Sequence, residues 1–328
     1  MEDIPIHVDQ QSNRFIDRLR LCIRSRNLAY ATEKTYVLWS LQFIRFHNKQ
    51  HPKNMGSHEI EAFLSYLATH RNCSQSTQRT ALNALIFLFK KFMGRDDIGE
   101  LHFSYSKKYR NIPTVFSKDE ASQVISLLKG KYKLMTQLMY GSGLRISELL
   151  RLRVKDIDFE MHQVIVRAGK GNKDRITILP HTLKRSLQEQ ISAVAILHNQ
   201  DIRDGYGEVY LPYALNRKYN NAAKELTWQY LFPSGRISRD PRSGIFRRHH
   251  LEKSVLSKQI RQAVKDSKIY KKASAHTFRH TFATQLLLNG SDIRTVQELL
   301  GHSDVSTTEI YTHVLKQGKA GVKSPIDF

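Results

Sequence analysis

The stretch HTFRHTFATQLLLNG (276–290) places two histidines and an arginine within five consecutive residues. On a helix, His276, Arg279 and His280 share one face, because residues three and four positions apart are neighbours. The apolar stripe that would bury this helix is formed by Phe278, Phe282 and Leu286. The stripe would hold the cationic side chains rigidly beside a core, as a site that binds an anion or moves protons requires.

A zinc site is one alternative for His276 and His280. The helical zinc-protease motif needs a glutamate directly after its first histidine, and this chain has Thr277 there. The sequence therefore disfavours a metal site, and we expect no cofactor. Taken alone, His280 is interpreted as a residue that packs in the core with its ring nitrogens hydrogen-bonded.

The stretch GSGLRISELL (141–150) carries another arginine at the end of a glycine-containing loop. Arg145 stands at a predicted helix start, and Glu148 lies one turn later on the same side. The two could form an ordinary solvated ion pair. A guanidinium braced by a carboxylate is also what a phosphate clamp requires, because its fixed fork donates to two oxygens.

After a helical region at about 117–152, the hydrophobic period changes and predicts a β-hairpin. Two β-branched runs, Val164–Val166 and Ile176–Leu179, flank a Gly-Lys-Gly-Asn-Lys turn. This turn carries Lys170 and Lys173. Lysines in turns are usually only solvated, so these two point to a function only in combination with the other motifs.

The stretch LLGHSDVSTTEIYTHV (299–314) predicts the end of one helix at Gly301 and a capping box of Ser306 and Glu309 for the next. Tyr311 would then lie about one turn inside a short helix. His302 would ordinarily be a turn residue, and Tyr311 would ordinarily be half-buried packing.

The charge balance points to a polyanionic partner. The 328-residue chain has 52 Lys and Arg against 30 Asp and Glu, a formal charge of +22. Nucleic acid is favoured over a membrane surface, because the basic residues are spread along the chain. Only Cys22 and Cys73 occur, and no apolar leader or span is present, so we expect a cytoplasmic protein without a membrane partner.

Changes in hydrophobic period predict the domain organisation. We expect an N-terminal extension at 1–11, a helical domain at 12–96, a linker at 97–116 and a second domain at 117–328. The second domain should begin with a helix capped by Ser117 and Glu120. The predicted DNA-binding residues of the linker are Lys107, Lys108 and Arg110.

In this order, the motifs resemble the tyrosine recombinase (phage integrase) family. The matching positions are Arg145, Lys170, His276-x-x-Arg279, Gly301-His302 and Tyr311. The resemblance implies a mainly α fold with a small β component: a helical N-terminal core-binding domain followed by a mixed α/β catalytic domain. It also implies cleavage and rejoining of DNA strands.

The resemblance assigns roles to these residues. Arg145 and Arg279 would clamp the phosphate, and Tyr311 would attack the phosphorus to give a 3′-phosphotyrosine. Lys170 would protonate the leaving 5′-oxygen, with Lys173 as the second candidate. The implied supporting roles are acid/base catalysis or phosphate donation by His276, phosphate hydrogen bonding by His302, and support by Glu148 and His280. Neither a metal nor ATP is implied.

A segment at about 202–253 is longer than a minimal recombinase needs and is dense in aromatic and basic residues. Composition leaves two interpretations open, which are stacking on unpaired bases and a small satellite core with a basic edge. The segments LTWQYLFPS, DPRSG and RRHH resemble the corresponding insertion of integron integrases. That resemblance implies folded single-stranded hairpin sites, and the expected DNA-binding residues here are Trp228, Pro241, Arg247, Arg248, His249 and His250.

Three alternatives compete with an integron integrase that inserts and excises gene cassettes. A duplex-specific recombinase of the phage or chromosome-resolution type would not need the insertion. A non-catalytic DNA-binding protein would not need the full set of arginine, lysine, histidine and tyrosine residues that match the family. A type IB topoisomerase acts alone on duplex DNA, and the short chain and the insertion disfavour it. Recombination joins two sites, so we expect a homotetramer in the synapse on DNA.

Overall fold

The computed structural model describes residues 5–107, 113–167, 169, 173–211, 215–219, 221–240, 243–302 and 304–311, without the side chains of residues 216, 217 and 306. The chain divides into an N-terminal unit, residues 1–111, and a C-terminal unit, residues 112–240 and 244–328. The predicted fold class is confirmed, because the chain is mainly helical with a small β component.

Apolar residues at helical spacing form the N-terminal unit. Its helices are α1 (Phe15–Ser25), α2 (Tyr30–Phe46), α3 (Ser57–Thr69) and α4 (Gln75–Ile86), with a 3₁₀ turn at Pro52–Asn54 and a π-helical turn at Phe87–Phe92. The buried centre is aromatic: the rings of Phe63 and Phe89 meet the Phe43 ring at 5.6 and 5.8 Å in edge-to-face geometry. Such pairs add directional attraction to the burial of apolar area.

A buried carboxylate ties the first helices of this unit together. Glu33 on α2 is 1% exposed and accepts hydrogen bonds from Arg20 and Arg24 on α1 at 2.7 and 2.8 Å. Arg24 also donates to the carbonyl of Ile6 at 2.8 Å. The segment before α1 is therefore attached to the unit through the same ion-pair cluster.

The C-terminal unit has a main apolar core and two smaller apolar clusters. Its helices, in chain order, are α5 (Lys118–Ser126), α6 (Gly130–Ser142), α7 (Ile146–Arg151), α8 (Lys184–Arg203), α9 (Leu215–Lys218), α10 (Lys253–Asp266), α11 (Ala275–Leu288), α12 (Ile293–Leu300) and α13 (Ser306–Glu309), with 3₁₀ turns at Val154–Asp156, His181–Leu183, Ala222–Lys224 and Leu226–Trp228. The predicted capping box before α5 is confirmed, because Ser117 and Glu120 exchange hydrogen bonds of 2.7 and 3.1 Å.

Two small antiparallel sheets complete this unit. The first has the order β1 (Ile157–Asp158), β2 (Gln163–Val166) and β3 (Arg175–Ile178), and the second pairs β4 (Pro233–Arg239) with β5 (Phe246–His250). Val164 pairs with Thr177, so the predicted hairpin around the lysine turn is confirmed. The second sheet lies within the expected insertion.

A glycine with positive φ ends α6 where this helix meets α11. Gly143 has a φ of 63°, a left-handed conformation that side chains disfavour. A Cβ atom there would overlap the ring of Phe282 on α11. The carbonyl of Gly143 also accepts a hydrogen bond of 2.6 Å from Arg279, so this close approach positions a predicted site residue.

We expect Gly143→Ala to destabilise the C-terminal unit more than Gly130→Ala does. Gly130, at the other end of α6, also has a positive φ of 52°, but open space surrounds its missing Cβ. The left-handed conformation costs alanine about 1 kcal/mol at either site. Overlap with Phe282 should bring the loss at Gly143 to roughly 2–4 kcal/mol in urea denaturation. Equal losses for the two variants would contradict the packing argument.

Candidate active site

A reciprocal cap fixes the start of α11 and thereby orients the predicted cluster. The Ser274 hydroxyl accepts a hydrogen bond of 3.3 Å from the His276 amide, and the Thr277 hydroxyl accepts one of 3.0 Å from the Ser274 amide. His276, Arg279 and His280 follow within the first turns of the helix, as the spacing predicts.

Arg145 precedes α7 and is braced by Glu148. Its Nη1 donates to Glu148 Oε1 at 2.6 Å, and its backbone amide donates to Glu148 Oε2 at 2.9 Å. The arginine side chain is 20% exposed, whereas that of Glu148 is only 4% exposed. A buried carboxylate therefore holds a guanidinium that still reaches the surface, which suits a phosphate clamp.

A third arginine, which the sequence analysis missed, binds the same carboxylate. Arg175 begins β3 and donates from Nη1 and Nη2 to the two oxygens of Glu148 at 2.9 and 2.8 Å. Its Nε donates to the carbonyl of Leu299 at 2.9 Å. Strand alternation offered a signal, because it places Arg175 on the same face as the buried Thr177, and an inward-facing charge needs a partner.

Arg279 is the most deeply buried of these arginines, with 1% exposure. It donates to the carbonyls of Gly143 and Leu300 at 2.6 and 2.5 Å, and its Nη1 lies 3.8 Å from a carboxylate oxygen of Glu148. Burial, followed by the positive charge of Arg145, lowers its pKa to about 9. The backbone contacts fix the plane of the guanidinium.

The charges around Glu148 do not balance. Burial alone would raise its pKa, but the hydrogen bonds and charges of Arg175 and Arg145 outweigh burial and lower the pKa to about 2. One carboxylate thus stays ionised among three guanidinium groups, those of Arg145, Arg175 and Arg279. The excess positive charge makes the site suitable for an anion such as phosphate.

The histidines of α11 lie beside the tyrosine. The Nδ1 atom of His280 is 2.6 Å from the Tyr311 hydroxyl, and the rings of His276 and His280 meet edge to face at 4.4 Å. His280 was expected to pack in the core with its ring nitrogens hydrogen-bonded; it is half-buried, and Nδ1 has Tyr311 as its partner. The tyrosine supplies the partner that this expectation left unnamed.

The pKa values of these groups favour their neutral forms near pH 7. Burial and the charges of His276 and Arg279 lower the pKa of His280 to about 4. Although the His276 side chain reaches solvent, partial burial and the charges of Arg279 and Arg145 lower its pKa as well. Burial raises the pKa of the Tyr311 phenol, despite the opposing charges of the two arginines.

Tyr311 is 2% exposed and packs in a cluster with residues of α11 and α12. It follows α13 and is not inside it, because that helix ends at Glu309. The predicted capping box is also wrong, since Val305 occupies the N-cap position and Ser306 is the first helical residue. The amide of Thr308 instead donates to the carbonyl of Val305 at 2.6 Å.

His302 lies just beyond α12, in the turn that Gly301 starts. Gly301 has a φ of 64° and ends the helix, as predicted. The His302 Nδ1 atom is 2.9 Å from the Thr308 hydroxyl, and its carbonyl accepts a bond of 3.0 Å from Gln297. Because Arg175 and Arg279 hold the last carbonyls of α12, the same network positions this turn.

The predicted lysines are only partly covered by the structure. Lys170, Lys108 and Arg110 lie outside the described residues. Lys173 and Lys107 are exposed. The amide of Gly169 donates to the carbonyl of Lys173 at 3.0 Å, so the ends of the turn that carries Lys170 are joined.

The insertion between α8 and α10 has its own small core and a buried arginine anchor. The core consists of Val209, Leu211, Ala222, Ala223 and Tyr230. Arg153, which the sequence analysis also missed, is 7% exposed and donates to the carbonyls of Trp228 and Tyr210 at 2.5 and 2.8 Å. Its backbone forms a β-bridge with Tyr230, which attaches the insertion to the chain that follows α7.

The aromatic residues predicted to bind bases are partly exposed. Trp228 is half-buried, and the Nζ atom of Lys155 lies 2.7 Å from the centroid of its ring. His249 and His250 are half-buried, with ring centroids 4.0 Å apart and 5.3 and 5.2 Å from that of Tyr230. Pro241 lies outside the described residues.

Arg247 and Arg248 are engaged inside the unit. Both oxygens of Asp201 accept bonds of 2.6 Å from Arg248, whose side chain is 13% exposed. Arg247 is 3.2 Å from Asp240 and 3.4 Å from Glu208. This arrangement does not support their expected contact with DNA phosphates. It assigns them to holding strand β5 in place.

Other kinds of site were sought in the described part of the chain. No group of three or more His, Cys, Asp or Glu side chains is close enough there to hold a metal ion. None of the helices in that part is both long and apolar enough to cross a membrane. The two cysteines, Cys22 and Cys73, are free and partly buried.

Comparison with known proteins finds relatives along nearly the whole chain. An integrase/recombinase of Escherichia coli is 47% identical over 317 residues, which is 97% of this chain and 94% of that protein. The tyrosine recombinase XerD of Oceanobacillus iheyensis is 33% identical over 286 residues, or 84% of each chain.

Solved structures share the fold. The XerH site-specific recombinase bound to palindromic difH substrate matches with a TM-score of 0.62 at 21% identity, over 95% of this chain and 86% of that one. The Tn1549 transposon integrase in complex with transposon right end DNA matches with a TM-score of 0.60 at 17% identity, over 95% and 96% of the two chains.

Family models match both parts of the chain. The model of the phage integrase, N-terminal SAM-like domain matches residues 15–98, and that of the phage integrase family matches residues 114–318. The chain therefore belongs to the phage integrase family, the tyrosine recombinases that carry out site-specific DNA recombination.

Proposed function

We propose that this protein is an integron integrase that inserts and excises gene cassettes through a phosphotyrosine intermediate at Tyr311. The convergence of three arginines on the buried Glu148, beside two histidines and Tyr311, carries the catalytic part of the proposal. Each group then has a role in phosphoryl transfer that follows from its chemistry.

Arg145 and Arg279 bind the scissile phosphate. Attack on a phosphodiester concentrates charge on the non-bridging oxygens, and positioned guanidinium groups stabilise that charge in the transition state. Arg279 is held in one plane by two backbone carbonyls, and Arg145 is braced by Glu148. The site is thus organised before the substrate binds, which removes a reorganisation cost from the reaction.

The phenolic oxygen of Tyr311 attacks the phosphorus. A Tyr–O–P bond forms, the bond from phosphorus to the 5′-oxygen breaks, and the DNA remains attached through a 3′-phosphotyrosine. Attack by the 5′-hydroxyl of a second strand reverses these steps and exchanges the strands. The phosphate ester is conserved throughout, so ATP is not consumed.

Two protons move in the cleavage step. The phenol must lose its proton, and His276, which is neutral at pH 7 because its pKa is lowered, is suited to accept it or to donate to the phosphate. The hydrogen bond between Tyr311 and His280 must open as the oxygen attacks. Lys170 protonates the leaving 5′-oxygen, with Lys173 as the second candidate. His302 donates a further hydrogen bond to the phosphate.

The insertion supports the assignment to integrons. Its half-buried aromatic rings lie among cations: Arg153 is 5.6 Å and Lys155 is 2.7 Å from the Trp228 ring centroid. Unpaired bases stack on such rings while nearby cations neutralise the backbone. Trp228, Pro241, His249 and His250 would therefore hold extrahelical bases of a folded single-stranded site.

A duplex-specific recombinase of the Xer or phage type is the second candidate. The relative named XerD and the fold shared with XerH are as consistent with this function as with that of an integron integrase. In that function the insertion would be a structural addition, and Trp228 would contribute no more to a hairpin than to a duplex. The substrate preference of the insertion variants therefore decides between the two functions.

Assembly on DNA follows from the reaction. Two sites, each cleaved by two protomers, require a homotetramer in the synapse. The basic residues Lys107, Lys108 and Arg110 would contact the DNA backbone. The segment 316–328, which lies outside the described residues, is expected to dock onto a neighbouring protomer.

Tyr311→Phe should abolish covalent attachment to DNA while leaving DNA binding intact, because only the attacking oxygen is removed. Purified protein is mixed with a labelled strand of a folded cassette-type hairpin or with the matching duplex, and adducts are resolved on a denaturing gel. Tyr270→Phe is the matched control, since Tyr270 is fully exposed and is not one of the residues of the cluster. An adduct that persists in Tyr311→Phe would refute the proposed nucleophile.

Trp228→Ala should weaken binding to the hairpin strand more than binding to the duplex. Loss of one stacked base costs roughly 1–3 kcal/mol, and only the hairpin offers unpaired bases. The Kd for each substrate is measured by fluorescence anisotropy at one fixed salt concentration. Tyr270→Ala, which removes an exposed aromatic ring outside the insertion, should change neither value. Equal losses on both substrates would assign the protein to the duplex-specific recombinases.

A further inference from the structure

Arg175 lies where three parts of the site meet. It is the first residue of β3, directly after the turn that carries Lys170 and Lys173. Two of its nitrogens donate to Glu148, and the third donates to the carbonyl of Leu299 near the end of α12. The Arg175 side chain is 9% exposed, and each of its three guanidinium nitrogens donates a hydrogen bond to the protein.

The surrounding backbone is shaped to admit this side chain. A Cβ atom on Gly301 would lie 2.7 Å from the Arg175 Cδ atom, and Gly301 also has a positive φ of 64°. A Cβ atom on Gly169 would lie 3.5 Å from Arg175 Nη1 and 3.7 Å from Glu148 Oε1. The arginine stem thus passes close to Gly301, which begins the turn that leads to His302, and Gly169 lies close to its guanidinium.

We propose that Arg175 is a positioning residue that couples the lysine hairpin and the His302 turn to the phosphate-binding Arg145 through Glu148. This inference rests on the proposed function, because it takes phosphate cleavage by Tyr311 as the reaction. Arg175 contacts no reacting atom in this assignment. It acts by fixing the positions of groups that do.

The assignment explains how Arg145 remains available to phosphate. Glu148 faces Arg145 from the start of α7, Arg175 from β3 and Arg279 from α11. The titratable ring of His276 also interacts electrostatically with Glu148. Arg175 occupies one lone-pair direction on each carboxylate oxygen. Without it, the unsatisfied carboxylate would draw Arg145 toward itself, away from the phosphate.

Only a guanidinium can make this connection. Its planar fork donates to both carboxylate oxygens while Nε donates to a carbonyl on another element. A lysine in the same place would keep the charge but could not span the two partners with fixed geometry. A methionine would keep much of the stem and lose both the charge and the donors.

The test compares Arg175→Met and Arg175→Lys with wild type in the full-length protein. The rate of covalent adduct formation is measured in single-turnover reactions on the substrate that wild type cleaves, together with the Kd for the same DNA and the thermal unfolding midpoint. Arg185→Met is the control, because Arg185 is a 91% exposed arginine paired with Glu189 on α8.

We expect both Arg175 variants to form the adduct about 100-fold more slowly, as misplacement of reacting groups predicts, while the Kd is unchanged. In Arg175→Met, Glu148 stays buried and loses its strongest opposing partner, so its pKa rises from about 2. The rate of this variant relative to wild type should therefore fall as the pH is lowered from about 7.5 to about 5. Arg175→Lys, which keeps the positive charge, should be slow without this added pH dependence.

The possible failures are distinguishable. If wild type forms no adduct, the proposed function fails; if wild type forms one and Arg175→Met does so at the same rate, the coupling role fails. A wild-type rate in Arg175→Lys would show that charge alone matters and would also overturn the proposal. If Arg175→Met does not fold, the rate of Arg175→Lys, corrected for the folded fraction, decides the outcome. Arg185→Met should match wild type throughout.

Discussion

The burial of one carboxylate among three guanidinium groups is the interaction on which the rest of the site depends. Glu148 keeps its charge because Arg145 and Arg175 bind it directly, and Arg279 lies close by. Removing a buried charge from such a cluster leaves its partners uncompensated, so the members must be present together. Four separate parts of the chain contribute to the cluster or are held by it: the loop before α7, strand β3, helix α11 and the end of α12.

This cluster also explains what could be predicted from the sequence. Arg145, His276, Arg279 and Tyr311 stand in short motifs. The lysine hairpin followed from periodicity and turn residues, and the fold class followed from the family resemblance. Arg175 was missed because it stands between a basic turn and an apolar strand run, and its partners come from residues distant in the chain. The bond between His280 and Tyr311 joins residues 31 positions apart, which helical spacing cannot reveal.

In the insertion, composition predicted DNA contacts that the structure does not support. A run such as RRHH indicates DNA contacts by its charge, yet Arg247 and Arg248 bind Asp201, Asp240 and Glu208 within the unit. The sequence reports how many cations are present, but not which of them already have a carboxylate. Conversely, the isolated Arg153 gave no signal, although it is buried between the aromatic rings that attach the insertion.

The position of Tyr311 in the chain has a consequence for synthesis. The packing around it comes from α11 and α12, and the arginines and histidines of the site precede it along the chain. Under the proposed function, a ribosome that stops early, or a protease that trims the last segment, would leave a protein with the proposed phosphate-binding groups but without the proposed nucleophile. Such a fragment could occupy a recombination site without breaking a strand, so incomplete molecules would act as competitors and not as sources of DNA damage.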